Sequence, residues 1–228
     1  MKERLSLILN DKILNKFANT NVLIVGIGGV GGFALECLVR SGFEHITIVD
    51  KDIVDESNLN RQIISLNSTI GQSKTKIAQK RALDINPNIS IKIVNEFILE
   101  NNIDLLFNEK IDYIIDACDT ITTKILLLQK AQEKGIKIIS CMGTGNRLDS
   151  TKLKIIKLNK THNDPLAKNI SRILREKNIK INPNVVWSEE LPIKTQNRIP
   201  GSFICVPMQA GNLCATYIIN DIIKELES

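Results

Sequence analysis

Short apolar runs alternate with longer amphipathic stretches through the first 141 residues. The runs are rich in β-branched residues and of strand length; they cover residues 21–25, 45–50, 89–95, 111–116 and 136–141. The helix-length segments between them cover residues 29–41, 72–85, 101–107 and 120–134. Strands without polar alternation are typical of parallel sheets that are buried on both faces. The pattern therefore predicts an α/β fold, a Rossmann-like doubly wound and mostly parallel sheet with helices on both faces.

The pattern differs at the two ends of the chain. A helix of about residues 8–18 precedes the first strand, and residues 152–158 alternate as in a strand of different orientation, which would add an antiparallel part. Residues 164–177 predict a helix, with Asp164 as its N-cap and proline at the first helical position. Several prolines in residues 178–200 predict a loop. A final apolar helix is expected from Pro207 to Glu225.

A glycine-rich turn joins the first strand to the following helix. It contains Gly26, Gly28, Gly29 and Gly31. Such glycines let the backbone approach a phosphate, whose charge is favoured at a helix N-terminus. Asp50 ends the next strand, 19 residues after Gly31, where a ribose-binding carboxylate is usual. The turn predicts a nucleotide site and leaves open whether the nucleotide is NAD or ATP.

Charged side chains beyond the turn favour ATP. Asp52 follows Asp50, and Arg61 and Lys74 lie on segments that leave the carboxyl ends of predicted parallel strands. Two cations suit a triphosphate better than the pyrophosphate of NAD. Asp119, after the fourth strand, suits a Mg²⁺ ion held partly by phosphates. Either cation alone would be equally typical of a solvated surface, but the joint set predicts ATP and Mg²⁺.

Composition excludes several classes of protein. The 228 residues contain no apolar run of the roughly 20 residues needed to span a bilayer. The apolar stretch at residues 5–9 is interrupted by Ser6 and is too short for a secretory signal, so we expect a cytoplasmic protein without a membrane segment. Five widely spaced cysteines without a Cys-x-x-Cys pair predict neither a disulfide framework nor a zinc site.

The formal charge of +5 is concentrated in one segment. Residues 1–150 hold 18 basic and 18 acidic side chains, whereas residues 151–180 hold nine basic and two acidic ones. Residues 181–228 hold three basic and five acidic side chains. This distribution excludes a uniformly basic coat protein and indicates a local patch for a polyanion.

The predicted helix 164–177 places three cations of this segment on one stripe. Lys168, Arg172 and Arg175 are spaced i, i+4, i+7, opposite the apolar side chains of the helix. We call these three residues the basic ridge and interpret it as a surface for RNA phosphates. The alternative is a solvated face that only aids solubility. Trp187 could stack on a base or fill a gap in the core.

These motifs together resemble a known group of enzymes. The series is Gly26-x-Gly-Gly-x-Gly31, Asp50, Asn58-Leu-Asn-Arg61-Gln, Gly-Gln-Ser-Lys74 and Asp116-Ala-Cys-Asp119. It is similar to the ubiquitin-activating-type adenylating superfamily over about residues 4–145. Members adenylate a carboxylate with ATP and Mg²⁺. The resemblance implies an ATP-binding adenylation core in residues 1–150.

The rest of the chain narrows the resemblance. The segments are Gly143-Thr-Gly145-Asn-Arg-Leu-Asp149, Thr161-His-Asn-Asp-Pro-Leu-Ala167, Trp187-Ser-Glu-Glu190 and Gly201-Ser-Phe-Ile-Cys-Val-Pro207. Their order is similar to the bacterial tRNA threonylcarbamoyladenosine dehydratases, which use ATP to cyclise a threonylcarbamoyl group next to the anticodon. We expect residues 151–228 to extend the same domain, with a basic segment (151–180), a loop (181–206) and a final helix (207–226). Activation of a ubiquitin-like sulfur-carrier protein is the alternative, disfavoured by the missing zinc pairs and by the basic ridge.

The resemblance also implies roles for individual residues. Asp50 would bind the ribose hydroxyls, Asp119 would coordinate Mg²⁺, and Asn58, Arg61 and Lys74 would hold the triphosphate and take part in catalysis. Arg4 would reach the site of the neighbouring subunit in a homodimer. The implied partners are tRNA carrying threonylcarbamoyladenosine and a sulfur acceptor linked to a cysteine desulfurase.

Overall fold

A computed structural model describes residues 3–196 and 199–227. The strands are β1 (Asn21–Val25), β2 (His45–Val49), β3 (Ser90–Val94), β4 (Tyr113–Asp116), β5 (Lys137–Cys141), β6 (Leu153–Lys157) and β7 (Asn184–Ser188). The α-helices are α1 (Asp11–Ala18), α2 (Gly31–Arg40), α3 (Lys74–Ile85), α4 (Ile121–Lys134), α5 (Pro165–Glu176) and α6 (Cys205–Glu227).

The strands form one seven-stranded sheet in the order β3-β2-β1-β4-β5-β7-β6. All pairs are parallel except β6 with β7. The α/β fold class, with its antiparallel C-terminal addition, is confirmed. Because β1 lies between β2 and β4, the connections diverge to opposite sides, and a crevice opens at the carboxyl ends of the strands.

Helices cover both faces of the sheet. One core cluster joins the sheet to α1, α2, α3 and α6, and the other joins it to α4, α5 and the 3₁₀ segment Ile103–Phe107. Alternate residues of β1 enter different clusters, as strand geometry requires: Val22 and Ile24 face the first, Leu23 and Val25 the second. Strands β6 and β7, which follow residue 150 in the chain, belong to the same sheet as the strands that precede it.

The structure differs from the predicted local structure at three places. The predicted loop 178–200 contains β7, in which Val185 and Val186 are fully buried between β5 and β6; its prolines lie outside that short run. Residues 103–107 form a 3₁₀ helix. Helix α6 begins at Cys205, before Pro207. Proline is compatible with this position because the N–H groups of the first helical turn have no partner within the helix, so a proline there removes no helical hydrogen bond. Asn197 and Arg198, in the predicted loop, lie outside the described residues.

Trp187 belongs to the core. It is 2% exposed, and its indole N–H donates a 2.9 Å hydrogen bond to the His162 carbonyl. The structure therefore decides between the two interpretations of this residue in favour of packing. All five cysteines are free. No helix within residues 3–196 and 199–227 has the length and apolarity needed to cross a membrane.

Candidate active site

A cavity of about 780 Å³ lies at the carboxyl ends of the central strands. It gathers most of the side chains that the sequence singles out for nucleotide binding. Its walls include Gly26, Gly28, Gly29, Asp50, Asp52, Asn58, Arg61, Lys74 and Asp119. Residues that are up to 93 positions apart in the chain therefore line the same cavity, because the segments that leave the carboxyl ends of parallel strands converge there.

The glycine-rich turn packs against the end of β4. Gly26 has φ +91°, and a Cβ there would lie 2.7 Å from the Ala117 carbonyl oxygen. A Cβ at Gly31 would lie 1.8 Å from the Gly26 carbonyl oxygen. Gly31, predicted to bind the cofactor, therefore lies behind the turn and is required for packing, while Gly28 and Gly29 face the cavity near the N-terminus of α2.

Asp50 connects the end of β2 to the glycine-rich turn. Its Oδ2 atom accepts a 2.7 Å hydrogen bond from the Ile27 N–H, and its Oδ1 atom accepts one of 2.9 Å from the Asp52 N–H. Both carboxylate oxygens are thus held by backbone donors, which fixes their orientation at the cavity wall. A carboxylate in this position can also accept hydrogen bonds from ribose hydroxyls.

Lys74 is a buried cation on the cavity wall. It is the first residue of α3 and is 6% exposed, and its backbone N–H donates to the Asp52 carbonyl. Its Nζ atom lies 3.1 Å from Asp52 Oδ2. Burial of an ammonium group is costly unless it is paired. The structure supplies one carboxylate as partner, and the cavity gives space for an anionic ligand.

Asn58 and Arg61 lie on the segment after β2. Asn58 is 7% exposed and its Oδ1 atom accepts a 3.1 Å hydrogen bond from the Asp55 N–H, which closes a capping box around a 3₁₀ turn. Arg61 donates through Nη1 to the Ser57 carbonyl at 2.6 Å and to Asn60 Oδ1 at 3.0 Å. Those partners hold the guanidinium along the cavity wall without neutralising its charge.

Asp119 follows β4 and is exposed to the cavity. Its Oδ1 atom accepts a 3.3 Å hydrogen bond from Thr120. The described residues contain no cluster of three or more potential metal ligands. A single carboxylate beside the predicted phosphate-binding residues still fits Mg²⁺, because this ion keeps several waters and takes further ligands from substrate phosphates.

Beneath Asp119 lies a fully buried ion pair. Lys124 Nζ is 3.0 Å from Asp116 Oδ2 and donates to the Cys141 carbonyl at 2.8 Å, and both side chains are 0% exposed. Burial acts to lower the pKa of Lys124, but Asp116 outweighs it and the pKa is raised. Burial, followed by the charge of Asp116, raises the pKa of Cys118 well above its usual range. The Cys118 thiol therefore stays protonated although it lines the cavity.

Sequence reasoning did not assign the far wall of the cavity. Gly143, Thr144 and Gly145 follow β5, and Pro200, Gly201 and Ser202 lie opposite. Asn146 joins the two: it has φ +57°, and its Oδ1 atom accepts a 2.6 Å hydrogen bond from the Gly201 N–H. The signal was the Gly-x-Gly-Asn run at the carboxyl end of β5, since asparagine tolerates the left-handed region.

The basic ridge is formed as predicted. Asp164 caps α5 by accepting a 3.0 Å hydrogen bond from the Ala167 N–H, and Ile170 and Leu174 are buried. Lys168, Arg172 and Arg175 are exposed. Arg172 pairs with Glu176 at 2.7 Å, but both side chains are more than half exposed, and such pairs contribute little. Leu166, on the apolar face of the same helix opposite the ridge, lines the cavity, so α5 borders the cavity through its first turn.

Arg4 is exposed on the N-terminal turn and does not line the cavity of its own chain. Its neighbours Leu7 and Ile8 are 80% and 79% exposed. The structure therefore brings together all the ATP-site residues predicted within one chain except Gly31, whereas Arg4 is predicted to act in the site of a neighbouring subunit.

Comparison with known proteins agrees with this geometry. The fold is a doubly wound α/β fold, and its cavity lies where such folds bind nucleotides. The ThiF family model matches residues 2–186. A Bacillus subtilis tRNA threonylcarbamoyladenosine dehydratase is 37% identical over 231 residues, covering 94% of this chain and 91% of the relative. The Escherichia coli protein of that name is 32% identical over 90% of this chain and 75% of its own length. The chain therefore belongs to the ThiF family, in the branch of the tRNA threonylcarbamoyladenosine dehydratases.

A solved structure extends the similarity to three dimensions. The E. coli tRNA N6-threonylcarbamoyladenosine dehydratase TcdA, crystallised in complex with ATP, matches with a TM-score of 0.92 at 28% sequence identity. The match covers 97% of this chain and 93% of that one. The two chains therefore share their whole architecture, including the strands after residue 150.

Proposed function

We propose that this protein uses ATP to dehydrate and cyclise the N6-threonylcarbamoyl group of a modified adenosine in tRNA. One observation carries the proposal: a cavity gathers Asp50, Arg61, Lys74 and Asp119 beside the basic helix α5, in a chain 37% identical to a dehydratase. The cavity supports carboxylate adenylation, and the adjacent cations support a polyanionic substrate.

ATP occupies the cavity along the strand ends. Asp50 accepts hydrogen bonds from the ribose hydroxyls, and the glycine-rich turn approaches the phosphates at the N-terminus of α2. Asn58, Arg61 and Lys74 bind the triphosphate. Asp119 would be the protein ligand of a Mg²⁺ ion, and that ion would supply positive charge to the phosphates. A related protein that was crystallised in complex with ATP supports ATP as the nucleotide.

The chemistry begins at the threonyl carboxylate. One carboxylate oxygen attacks the α-phosphorus of ATP, the bond from that phosphorus to the β-phosphate oxygen breaks, and pyrophosphate leaves. The acyl-adenylate is needed because hydroxide is a poor leaving group whereas AMP is a good one. The carbamoyl group then attacks the acyl carbon, AMP departs with the former carboxylate oxygen, and a proton goes to solvent. The nucleoside has lost one water.

The protein contributes position and charge to these steps. Arg61 and Lys74 stabilise the negative charge that grows on the phosphates during attack. Ring closure joins two groups of one side chain and has the high effective molarity of an intramolecular reaction. No nucleophilic cysteine is required, in agreement with the raised pKa of the Cys118 thiol.

The basic ridge binds the tRNA backbone. Lys168, Arg172 and Arg175 project from α5, whose first turn borders the cavity through Leu166. Phosphate contacts of this kind position an RNA without reading its sequence. The ridge therefore holds the anticodon region while the modified nucleoside enters the cavity.

The protein acts as a cytoplasmic homodimer in which Arg4 completes the site of the other subunit. The support is the exposure of Leu7 and Ile8 beside Arg4, two neighbouring apolar side chains that a subunit contact at this turn would cover. A sulfur acceptor linked to a cysteine desulfurase remains the expected protein partner.

The test is the dependence of ATP turnover on the second substrate. AMP and pyrophosphate are measured with tRNA carrying threonylcarbamoyladenosine, with the same tRNA lacking the modification, and with a ubiquitin-like sulfur-carrier protein. Turnover with the modified tRNA alone supports the proposal. Equal turnover with both tRNAs contradicts it, and turnover with the carrier protein favours the alternative activity.

A further inference from the structure

The carboxylate of Asp164 has partners in two separate parts of the structure. Its Oδ1 atom caps α5 through the Ala167 N–H at 3.0 Å. Its Oδ2 atom accepts a 3.2 Å hydrogen bond from the Gly143 N–H and lies 3.4 Å from Arg147 Nη2. One side chain thus connects the helix of the basic ridge to the cavity wall after β5.

The burial of this pair is more than a helix cap requires. The Arg147 and Asp164 side chains are 2% and 1% exposed. Serine or asparagine caps a helix as well as aspartate does, without a buried charge. A buried ion pair seldom adds stability over apolar side chains of the same volume, whereas removal of one partner is strongly destabilising. The pair is therefore better explained by the relative position of α5 and the cavity wall, which it fixes.

Arg147 is itself anchored at the end of β7. Its Nε atom donates a 3.0 Å hydrogen bond to the Glu190 carbonyl. The Glu190 carboxylate accepts hydrogen bonds from the N–H groups of Leu148 and Asp149, at 3.0 and 2.9 Å. The guanidinium is held on one side by the segment that follows β7 and on the other by the cap of α5.

The atoms joined by this network lie between the cavity wall and the helix that carries the basic ridge. Gly143 lines the cavity, and a Cβ there would be 3.4 Å from both Arg147 Nη1 and Asp164 Oδ2. Leu166, two residues after Asp164, also lines the cavity. A shift of α5 relative to the wall would therefore move the basic ridge relative to the cavity.

We propose that Arg147 and Asp164 are positioning residues that lock the tRNA-binding helix to the ATP-site wall, so that an RNA on the ridge presents its carboxylate in line with the α-phosphorus. The proposal rests on the proposed function. It predicts that the pair affects turnover, because a small misplacement of the reacting groups lowers the reaction rate even when both substrates remain bound.

The first variant is Asp164→Asn, which keeps an effective N-cap and removes the charge beside Arg147. We expect turnover with modified tRNA to fall at least tenfold, while the Kd values for ATP and tRNA stay within twofold. The double variant Arg147→Met with Asp164→Asn leaves no buried unpaired charge; it should regain the wild-type Tm but not the turnover. Asp104→Asn, which removes an exposed carboxylate paired with Lys130 away from the cavity, is the control and should keep full turnover.

Hydrogen exchange separates this proposal from the proposed function. In the wild-type protein, addition of tRNA should slow exchange of the backbone amides of residues 142–145, and the double variant should lose that effect while still binding tRNA. Absence of the effect in the wild type, or full turnover by the folded double variant, overturns the proposal. Failure of the wild type to act on modified tRNA refutes the proposed function. In that case the hydrogen-exchange result alone shows whether α5 and the cavity wall are coupled through Arg147 and Asp164.

Discussion

Lys74 and Asp52 form an ion pair in which one partner is buried and the other is not. The Nζ atom lies 3.1 Å from Asp52 Oδ2, with side-chain exposures of 7% for the lysine and 53% for the aspartate. Because both residues line the cavity, a triphosphate can become a second or replacement partner of the lysine. The fold therefore places the desolvated ammonium group of Lys74 at the wall where the triphosphate is predicted to bind.

Replacement of Lys74 by alanine should abolish most of the activity. Loss of a cation that stabilises growing phosphate charge costs on the order of 10²–10³ in kcat. The measurement is kcat and KM for ATP with modified tRNA. Lys76→Ala, at an exposed position on the same helix, is the matched control and should retain wild-type kinetics. A Lys74→Ala protein that is folded and fully active would contradict the assignment.

Arg4 and Asp119 should complement each other between subunits. Arg4→Ala and Asp119→Asn should each be nearly inactive, because each removes one part of every site. If Arg4 acts in the partner's site, a refolded equimolar mixture regains roughly a quarter of the wild-type activity, since random pairing leaves one intact site in each mixed dimer. No recovery, in a mixture shown to exchange subunits, would place Arg4 outside the neighbouring site.

The basic ridge should bind tRNA through charge. Alanine at Lys168, Arg172 and Arg175 should weaken tRNA binding and make the plot of log K against log salt shallower by about 2 to 3, while the Kd for ATP stays unchanged. The charge-matched control replaces Lys12, Lys16 and Lys80, which are exposed on α1 and α3 over the other face of the sheet. Equal losses from the two triple variants would indicate a general effect of net charge.

The buried pair of Lys124 and Asp116 should matter for stability. Lys124→Met leaves an unpaired carboxylate that is 0% exposed and should lower the free energy of unfolding by roughly 3–5 kcal/mol. Urea denaturation measures this change. Lys130→Met on the same helix is the control: its partner Asp104 is largely exposed, so we expect at most about 1 kcal/mol. Similar losses from both variants would refute a special role for the buried pair.

The fold was predictable where local pattern and burial agree. Strands β1 and β4 are continuous apolar runs because both of their faces are buried, whereas the edge strand β3 alternates, with Ile91 buried and Lys92 exposed. Strand β7 was missed because Pro183 and Pro192 on either side of it resemble a loop, and its burial depends on pairing with β5 and β6, which no local pattern records. The helical period likewise does not distinguish the 3₁₀ segment Ile103–Phe107 from an α-helix.

The candidate site was predictable where residues follow strand ends. Asp50, Lys74 and Asp119 meet because the carboxyl ends of parallel strands share one edge of the sheet. The contact of Asp164 with Gly143 and Arg147 could not be found in this way, because it depends on how α5 packs on the wall after β5. The sequence identified Asp164 as a helix cap and could not show its second set of partners.

The most direct test of the central claim is the mass of the modified nucleoside. tRNA carrying threonylcarbamoyladenosine is incubated with the protein, ATP and Mg²⁺, then digested to nucleosides and analysed by mass spectrometry. We predict a product lighter by one water, formed only when ATP is present and not formed by Lys74→Ala. An unchanged nucleoside mass, with wild-type protein that is folded and binds both ATP and tRNA, would contradict the account.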